Sequence, residues 1–297
     1  KAAEGVQMMG WDHDDTLYPT RELIQIKKKV EEWNKMNLNH IVVIGIGGSD
    51  TGVKAGIDMV LPYKKHTPEL IFIHNMSSTY MLNKLHELKD KKYGIIVISK
   101  SGRTLEPAIA FRLFRDQLVE KVGSNASKKL IVAITDSNQG ILHDFAKASG
   151  YEMFTIPSDV GGRYSTLTAV GTFPMAIAGL DINKVLKGAK QCLMDMKDIS
   201  IKQNSAYLYA CIRHCLYTQK KLSVEQFNIY EPALELVARQ WQQLFGESEG
   251  KENKGLYPAL SIFTTDLHSL GQYLQEGTRN LFKTKNYWWW RWTKIFK

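Results

Sequence analysis

The chain has 297 residues, 44% of them hydrophobic, enough to bury the core of two ordinary domains or one large α/β unit. Its 39 lysines and arginines outnumber 30 acidic residues, and the resulting formal charge of +9 suits an anionic ligand. The basic residues are scattered, as at Lys27 to Lys29 and Lys128 with Lys129, and join no aromatic stacking residues, so no nucleic-acid module is recognisable; no apolar run reaches the ~18 residues of a helical membrane span.

The opening stretch KAAEGVQMMGWDHDD is polar and acidic after its first lysine. It reads as neither a signal nor a transit peptide, and the expected compartment is the cytoplasm. An odd, sparse set of cysteines (Cys192, Cys211 and Cys215) argues against a disulfide framework. CIRHC brings Cys211, His214 and Cys215 near one helical turn but lacks a further metal ligand. Buried helical thiols are the expectation there.

The first half alternates. Apolar runs predict strands at 41–46, 70–74, 95–99, 130–135 and 153–156, with helices at 51–60, 79–88, 107–122 and about 140–148 between them. Buried strands separated by helices imply an α/β fold with a parallel sheet covered on both faces. After Pro157 the pattern changes. A buried helix is expected at 167–178, with further helices near 184–196 and 204–220. VEQFNIYEP predicts a strand, 232–245 a helix with Pro232 near its start, and LSIFTTDLHSLGQYLQEG a strand, a loop and a helix. This second unit has too few expected strands to close a sheet. The tail KTKNYWWWRWTKIFK holds four of the seven tryptophans, a composition that fits a membrane-surface segment or, the favoured expectation, a non-native end.

Five stretches carry candidate chemistry. IVVIGIGGSDTG, residues 41–52, runs from a strand through Gly45, Gly47 and Gly48 into a helix. A dinucleotide fingerprint fails because Asp50 stands where its last glycine belongs, and the Gly-Lys-Ser/Thr of a P-loop is absent. A glycine turn ending in Ser49 at a helix N-terminus favours a small anion, or is simply a tight strand-to-helix turn. VISKSGRTLEP, residues 97–107, places the hydroxyls of Ser99, Ser101 and Thr104 with the cations Lys100 and Arg103 at the next strand edge. Two such turns at neighbouring edges can share one phosphate without a metal. Glu106 positions the ligand or favours the helix start.

SDVGGRYSTLTAVG, residues 158–171, bends at Gly161 and Gly162 before Arg163, which can stabilise developing charge on a substrate oxygen. In RQWQQLFGESEGK, Gln243 and Glu247 stand four apart on one helix face, and Glu247 is a candidate general base. In TTDLHSLGQYLQEG, His268 has a ring whose neutral-range pKa suits proton transfer on a hydroxyl.

These five stretches, in this order from about Gly10 to Phe282, resemble the bacterial-type glucose-6-phosphate isomerases; SDVGGRYSTLTAVG and the GESEGK and TTDLHSLGQYLQEG pair are the most specific. The resemblance implies a sugar isomerase fold of two α/β sandwich subdomains, with parallel sheets flanked by helices and the second subdomain incomplete. It implies reversible isomerisation of glucose 6-phosphate and fructose 6-phosphate through a cis-enediol, in glycolysis and gluconeogenesis, with no cofactor and no metal. It assigns Ser49, Ser99, Lys100, Ser101 and Thr104 to the phosphate, and Arg163 to the enediol intermediate. Glu247 becomes the base between C2 and C1, with Gln243 and Glu106 nearby. His268 becomes the ring-opening histidine, contributed from the other subunit of a homodimer.

The organisation expected from it is a helical segment at 1–34, a first subdomain at 35–180, a partial second subdomain at 181–282 and the atypical tail at 283–297. Family chains begin further upstream and continue beyond Phe282, where a phosphate-contacting glutamine and a ring-opening lysine reside. A truncated chain of weak or no activity is therefore expected. Asp50, which is expected to border the pocket, Thr51 and Arg103 depart from the residues common in bacterial relatives. Two further readings are a sugar-phosphate-binding module without catalysis and an aldose–ketose isomerase acting on mannose or amino-sugar phosphates.

Overall fold

The computed structural model describes residues 20–62, 65, 66, 68–198 and 200–285, so residues 1–19 and the Trp-rich stretch lie outside the described residues. The chain divides into a first unit ending at Leu186 and a second beginning at Lys187.

The first unit alternates as its apolar runs dictate: α1 (Thr20–Lys35), β1 (His40–Ile44), α2 (Thr51–Val60), β2 (Glu69–Ile73), α3 (Ser78–Leu88), β3 (Tyr93–Ile98), α4 (Leu105–Val122), β4 (Ile131–Asp136), α5 (Ile141–Ser149) and β5 (Glu152–Ile156). The strands form one parallel sheet in the order β2-β1-β3-β4-β5. Successive side chains point to opposite faces, so one strand feeds two cores. On one face Ile41 and Val43 of β1 join Ile96 and Ile98 of β3, packed with Ile26 and Trp33 of α1 and Val53 and Ile57 of α2. On the other, Val42 and Ile44 join Ile95 and Val97, packed with Leu88 of α3 and Phe111, Phe114 and Leu118 of α4. Complete burial of each such side chain contributes roughly 1.5–3 kcal/mol.

β1 ends at Ile44, two residues before the expected limit, because the glycines at 45, 47 and 48 let the chain turn into a short 3-10 helix, Gly47–Ser49. The first unit continues through a 3-10 turn, Gly162–Leu167, into α6 (Ala169–Ile177), which is buried along almost its whole length and whose N-cap Thr168 accepts from Val170 N. The boundary between the two units falls inside α7 (Ile182–Asp195).

The second unit contains α8 (Ser205–Thr218), β6 (Val224–Ile229), α9 (Glu235–Glu249), β7 (Tyr257–Ile262), α10 (Leu267–Glu276) and β8 (Leu281–Lys285). Asn204 caps α8 by accepting from Ala206 N and Tyr207 N. A strand the sequence pattern does not announce, β8, pairs in parallel with β6 to give the order β7-β6-β8. It runs past Phe282, with Lys283, Thr284 and Lys285 paired to Gln226, Phe227 and Asn228. A lysine-bearing edge strand hides in composition because edge positions favour charge.

The buried-thiol expectation is also corrected: Cys192, Cys211 and Cys215 are all exposed. The buried residue of α8 is Arg213, so that helix turns an ion-pairing face inward in place of its thiols. Arg213 Nε donates to Glu225 Oε2 of β6 at 2.5 Å, and its Nη1 donates to Glu249 Oε1 in the last turn of α9. Glu225, at 0% exposure, also accepts from Tyr209 Oη at 2.6 Å and Thr284 Oγ1 at 2.7 Å. This network ties α8, β6, α9 and β8 together.

Candidate active site

In a parallel sheet of this order the connections leave β1 and β3 in opposite directions, and the crevice beyond the strands' carboxyl ends at that point is where ligands bind. Both hydroxyl-rich stretches sit at this crevice. A cleft of about 590 Å³ is lined there by Ser49 after β1, and by Ser99, Lys100, Ser101, Arg103 and Thr104 after β3. All five residues expected at the phosphate therefore share one cleft.

Local chemistry holds each wall. Gly48 has no room for a side chain: a Cβ would lie 2.0 Å from Gly162 O and 3.0 Å from Arg163 Cα. That close approach seats the Gly47–Ser49 turn against the Gly162–Leu167 turn, whose Gly162 and Ser165 line the same cleft. Opposite, Ser99 Oγ accepts from Gly102 N at 3.1 Å and Ser101 Oγ accepts from Arg103 N at 3.2 Å. Gly102 has φ +70° and a Cβ there would meet Leu142 N at 2.3 Å, so glycine is required on both grounds. Thr104 is the N-cap of the 18-residue α4, yet its side chain caps no backbone N–H. The helix start thus presents free donors and the positive end of its dipole to the cleft.

Lys100 Nζ donates to the carbonyls of Ser158 at 2.7 Å and Val160 at 3.0 Å. Burial lowers its pKa below the ordinary lysine value, opposed by Asp136 and Asp159. Arg163 is half-buried, with its guanidinium 4.9 Å from the Tyr164 ring centroid. It lies between the lining residues Gly162 and Ser165 without itself lining the cleft. Glu106 is half-buried in the first turn of α4 and does not line the cleft, although Pro107 beside it does.

Asp50 does not border this cleft, which corrects the expectation. It is buried, with Oδ2 3.7 Å from His74 Nδ1 at the end of β2 and Oδ1 lacking a hydrogen-bond partner. Burial raises its pKa, opposed by Lys54 and His74. Asp136, Gln139 and Gly140 line the cleft and escaped the sequence reading. The signal for them was the position of TDSNQG at the next strand's carboxyl end, where Asp136 Oδ1 accepts from Asn138 N and Gln139 N.

The remaining candidates lie in the second unit. Gln243 Nε2 donates to Glu247 Oε1 at 2.7 Å across one turn of α9, and Glu247 is exposed. The helix end that carries Glu247 is fixed by Arg213 on Glu249 and by Lys251 Nζ, which donates to Ser248 O at 2.9 Å. His268 is exposed in the first turn of α10. Among the described residues no group of three or more His, Cys, Asp or Glu is placed to hold a metal ion. No helix among them is long and apolar enough to cross a membrane.

Parallel sheets flanked by helices define an α/β fold of the sugar isomerase type. The chain superposes on a hypothetical protein from Thermus thermophilus with a TM-score of 0.83 at 26% identity, covering 96% of this chain and 67% of that one. It superposes on a glucose-6-phosphate isomerase from Chlamydia trachomatis with a TM-score of 0.79 at 23% identity, covering 92% of this chain and 55% of that one. A sequence model described as phosphoglucose isomerase matches residues 20–274. The chain is 47% identical over 288 residues to the glucose-6-phosphate isomerase of Mycoplasmopsis synoviae and 46% identical over 293 residues to that of Clostridioides difficile, in each case along 96% of its own length. It belongs to the phosphoglucose isomerase family. It spans 66% and 65% of the length of those two relatives.

Proposed function

We propose that this protein serves the reversible isomerisation of glucose 6-phosphate and fructose 6-phosphate, in glycolysis and gluconeogenesis. The observation that carries the reading is the assembly of Ser49, Ser99, Lys100, Ser101 and Thr104 around one cleft at the start of α4. A helix N-terminus, several hydroxyls and positive charge at the cleft are what a phosphate dianion needs to be anchored without a metal. Family membership supplies the sugar and the reaction.

Anchoring the phosphate leaves the chemistry to proton transfer next to a carbonyl, which requires a base and a group that stabilises the enediolate. We assign the base to Glu247, which one carboxylate can be for both C1 and C2 because the cis-enediol presents them on one face. The hydrogen bond from Gln243 supports this by fixing the carboxylate's orientation. Arg163 is assigned to the enediolate, Glu106 to ligand positioning, and His268 to opening the sugar ring from the partner subunit of a homodimer. Because the chain spans 65% of the Clostridioides difficile relative's length, the 297 residues alone are expected to bind the sugar phosphates and to turn them over well below that relative's rate.

Two assays on the chain, and on a form completed with that relative's C-terminal part, test this. Phosphorus NMR follows glucose 6-phosphate formation from fructose 6-phosphate, and calorimetry follows binding. The expected result is turnover in the completed form that Glu247→Gln abolishes while binding persists. Binding without turnover in the completed form would favour a sugar-phosphate-binding module.

A further inference from the structure

We infer that Arg103, and not Lys100, is the side-chain cation that grips the ligand's phosphate, while Lys100 acts by pinning the 158–160 segment. The inference rests on the sugar-phosphate reading of the cleft and deepens it. Both residues line that cleft, so the question is which charge is free to act.

An ammonium has three donors. Two of those on Lys100 are directed at the carbonyls of Ser158 and Val160, and two carboxylates, Asp136 and Asp159, lie close enough to act on its charge. Turning Nζ toward a ligand would strand those two carbonyls. Its position instead links the end of β3 to the segment leading into Gly161, Gly162 and Arg163, across a sequence separation of 58 residues.

Arg103 is in the opposite situation. Its backbone is locked from both sides, by the Ser101 hydroxyl on its N–H and by Gly102 wedged against Leu142. Its side chain is exposed and makes no hydrogen bond or ion pair among the described residues. A guanidinium offers five donors in a planar fork that matches two phosphate oxygens at once. It stands immediately before Thr104, where the uncapped N–H groups of α4 already favour an anion. Of the acids nearby, Asp136 has Oδ1 engaged by two backbone N–H groups at 3.0 and 3.3 Å, and Glu106 lies outside the lining. Arg103 can therefore reach the ligand's phosphate without breaking a side-chain hydrogen bond or ion pair that it already makes among the described residues.

Calorimetric titration of the 297-residue chain with inorganic phosphate and with glucose 6-phosphate tests this. Arg103→Thr is expected to raise both dissociation constants by about tenfold or more, the scale of a lost hydrogen bond to a charged group. Arg103→Lys should fall between, since it keeps the charge and loses the fork. Added salt should weaken the parent more than Arg103→Thr. Lys100→Met should weaken phosphate binding less than Arg103→Thr does and should speed amide exchange at residues 159–162. Circular dichroism melts confirm that each variant folds. Unchanged phosphate affinity in Arg103→Thr overturns the inference, as does a Lys100→Met loss of equal size with amides 159–162 still protected. If the parent binds neither ligand, the sugar-phosphate reading falls as well; if it binds both and Arg103→Thr matches it, only the inference falls.

Discussion

Gly48→Ala puts the architecture of the cleft under direct strain. The added Cβ would stand 2.0 Å from Gly162 O, 2.6 Å from Gly162 C and 3.0 Å from Arg163 Cα, whereas ordinary contact begins near 3.4 Å. Every obstructing atom is backbone, so no rotamer change gives relief. The turns at 47–49 and 162–167 must part by about 1.4 Å, the gap between 2.0 and 3.4 Å, and overpacking of this kind costs about 1–3 kcal/mol. Because Ser49, Gly162 and Ser165 all line the cleft, the same displacement should weaken phosphate binding by about tenfold. Urea denaturation measures the first effect and calorimetry the second. Gly188 of α7 provides the control, since a Cβ there meets nothing within 4 Å. Gly188→Ala should be neutral or stabilising by about 0.5–1 kcal/mol. A Gly48→Ala protein within about 0.5 kcal/mol of the parent, with unchanged phosphate affinity, would refute the reasoning.

Two further substitutions probe buried charge. Arg213→Met removes a 6%-exposed cation and leaves Glu225, at 0% exposure, without its ion pair. It should cost about 3–5 kcal/mol in urea denaturation, and adding Glu225→Gln should recover part of that; a loss below ~1 kcal/mol would mean the network contributes no more than a surface pair. Asp50→Asn should alter how stability depends on pH. Burial raises the folded pKa of Asp50, so the unfolded chain loses this proton first, and the contribution present below the ordinary carboxylate range is lost as pH rises through the folded value. Melting temperatures across that range should show Asp50→Asn gaining on the parent as pH rises. A gap that is constant with pH would deny that Asp50 is strained by desolvation.

Much of the first unit was legible because strands buried on both faces must be continuous apolar runs. Val42, Val43, Ile95 to Ile98 and Ile131 to Ile134 announce themselves that way. Strand order was not, since it depends on pairings such as Ile41 with both Leu70 and Gly94, which no local pattern encodes. The second unit resisted for a related reason. Its central strand, VEQFNI, buries Glu225, Gln226 and Asn228, so hydrophobicity fails as a guide, and β8 carries lysines at the sheet's edge. At the cleft, hydroxyls and cations were readable from two stretches that resemble each other in placement, strand end to helix start. The glycine turn is legible as an anion-favouring or a tight strand-to-helix turn, but that Gly48 is required by backbone packing on Gly162 is not. Asp50 looked like a pocket residue from its neighbours in sequence, but its side chain lies near His74 and away from the cleft.

The central claim is that the cleft beyond β1 and β3 binds a sugar phosphate through its phosphate. An amide-resolved NMR titration of the 297-residue chain with glucose 6-phosphate, with glucose as the control, tests it most directly. Saturable shifts at residues 47–49 and 99–105 with glucose 6-phosphate, reversed by inorganic phosphate and absent with glucose, are the predicted result. Shifts confined to other parts of the chain, or the same response to glucose and its 6-phosphate, would contradict it.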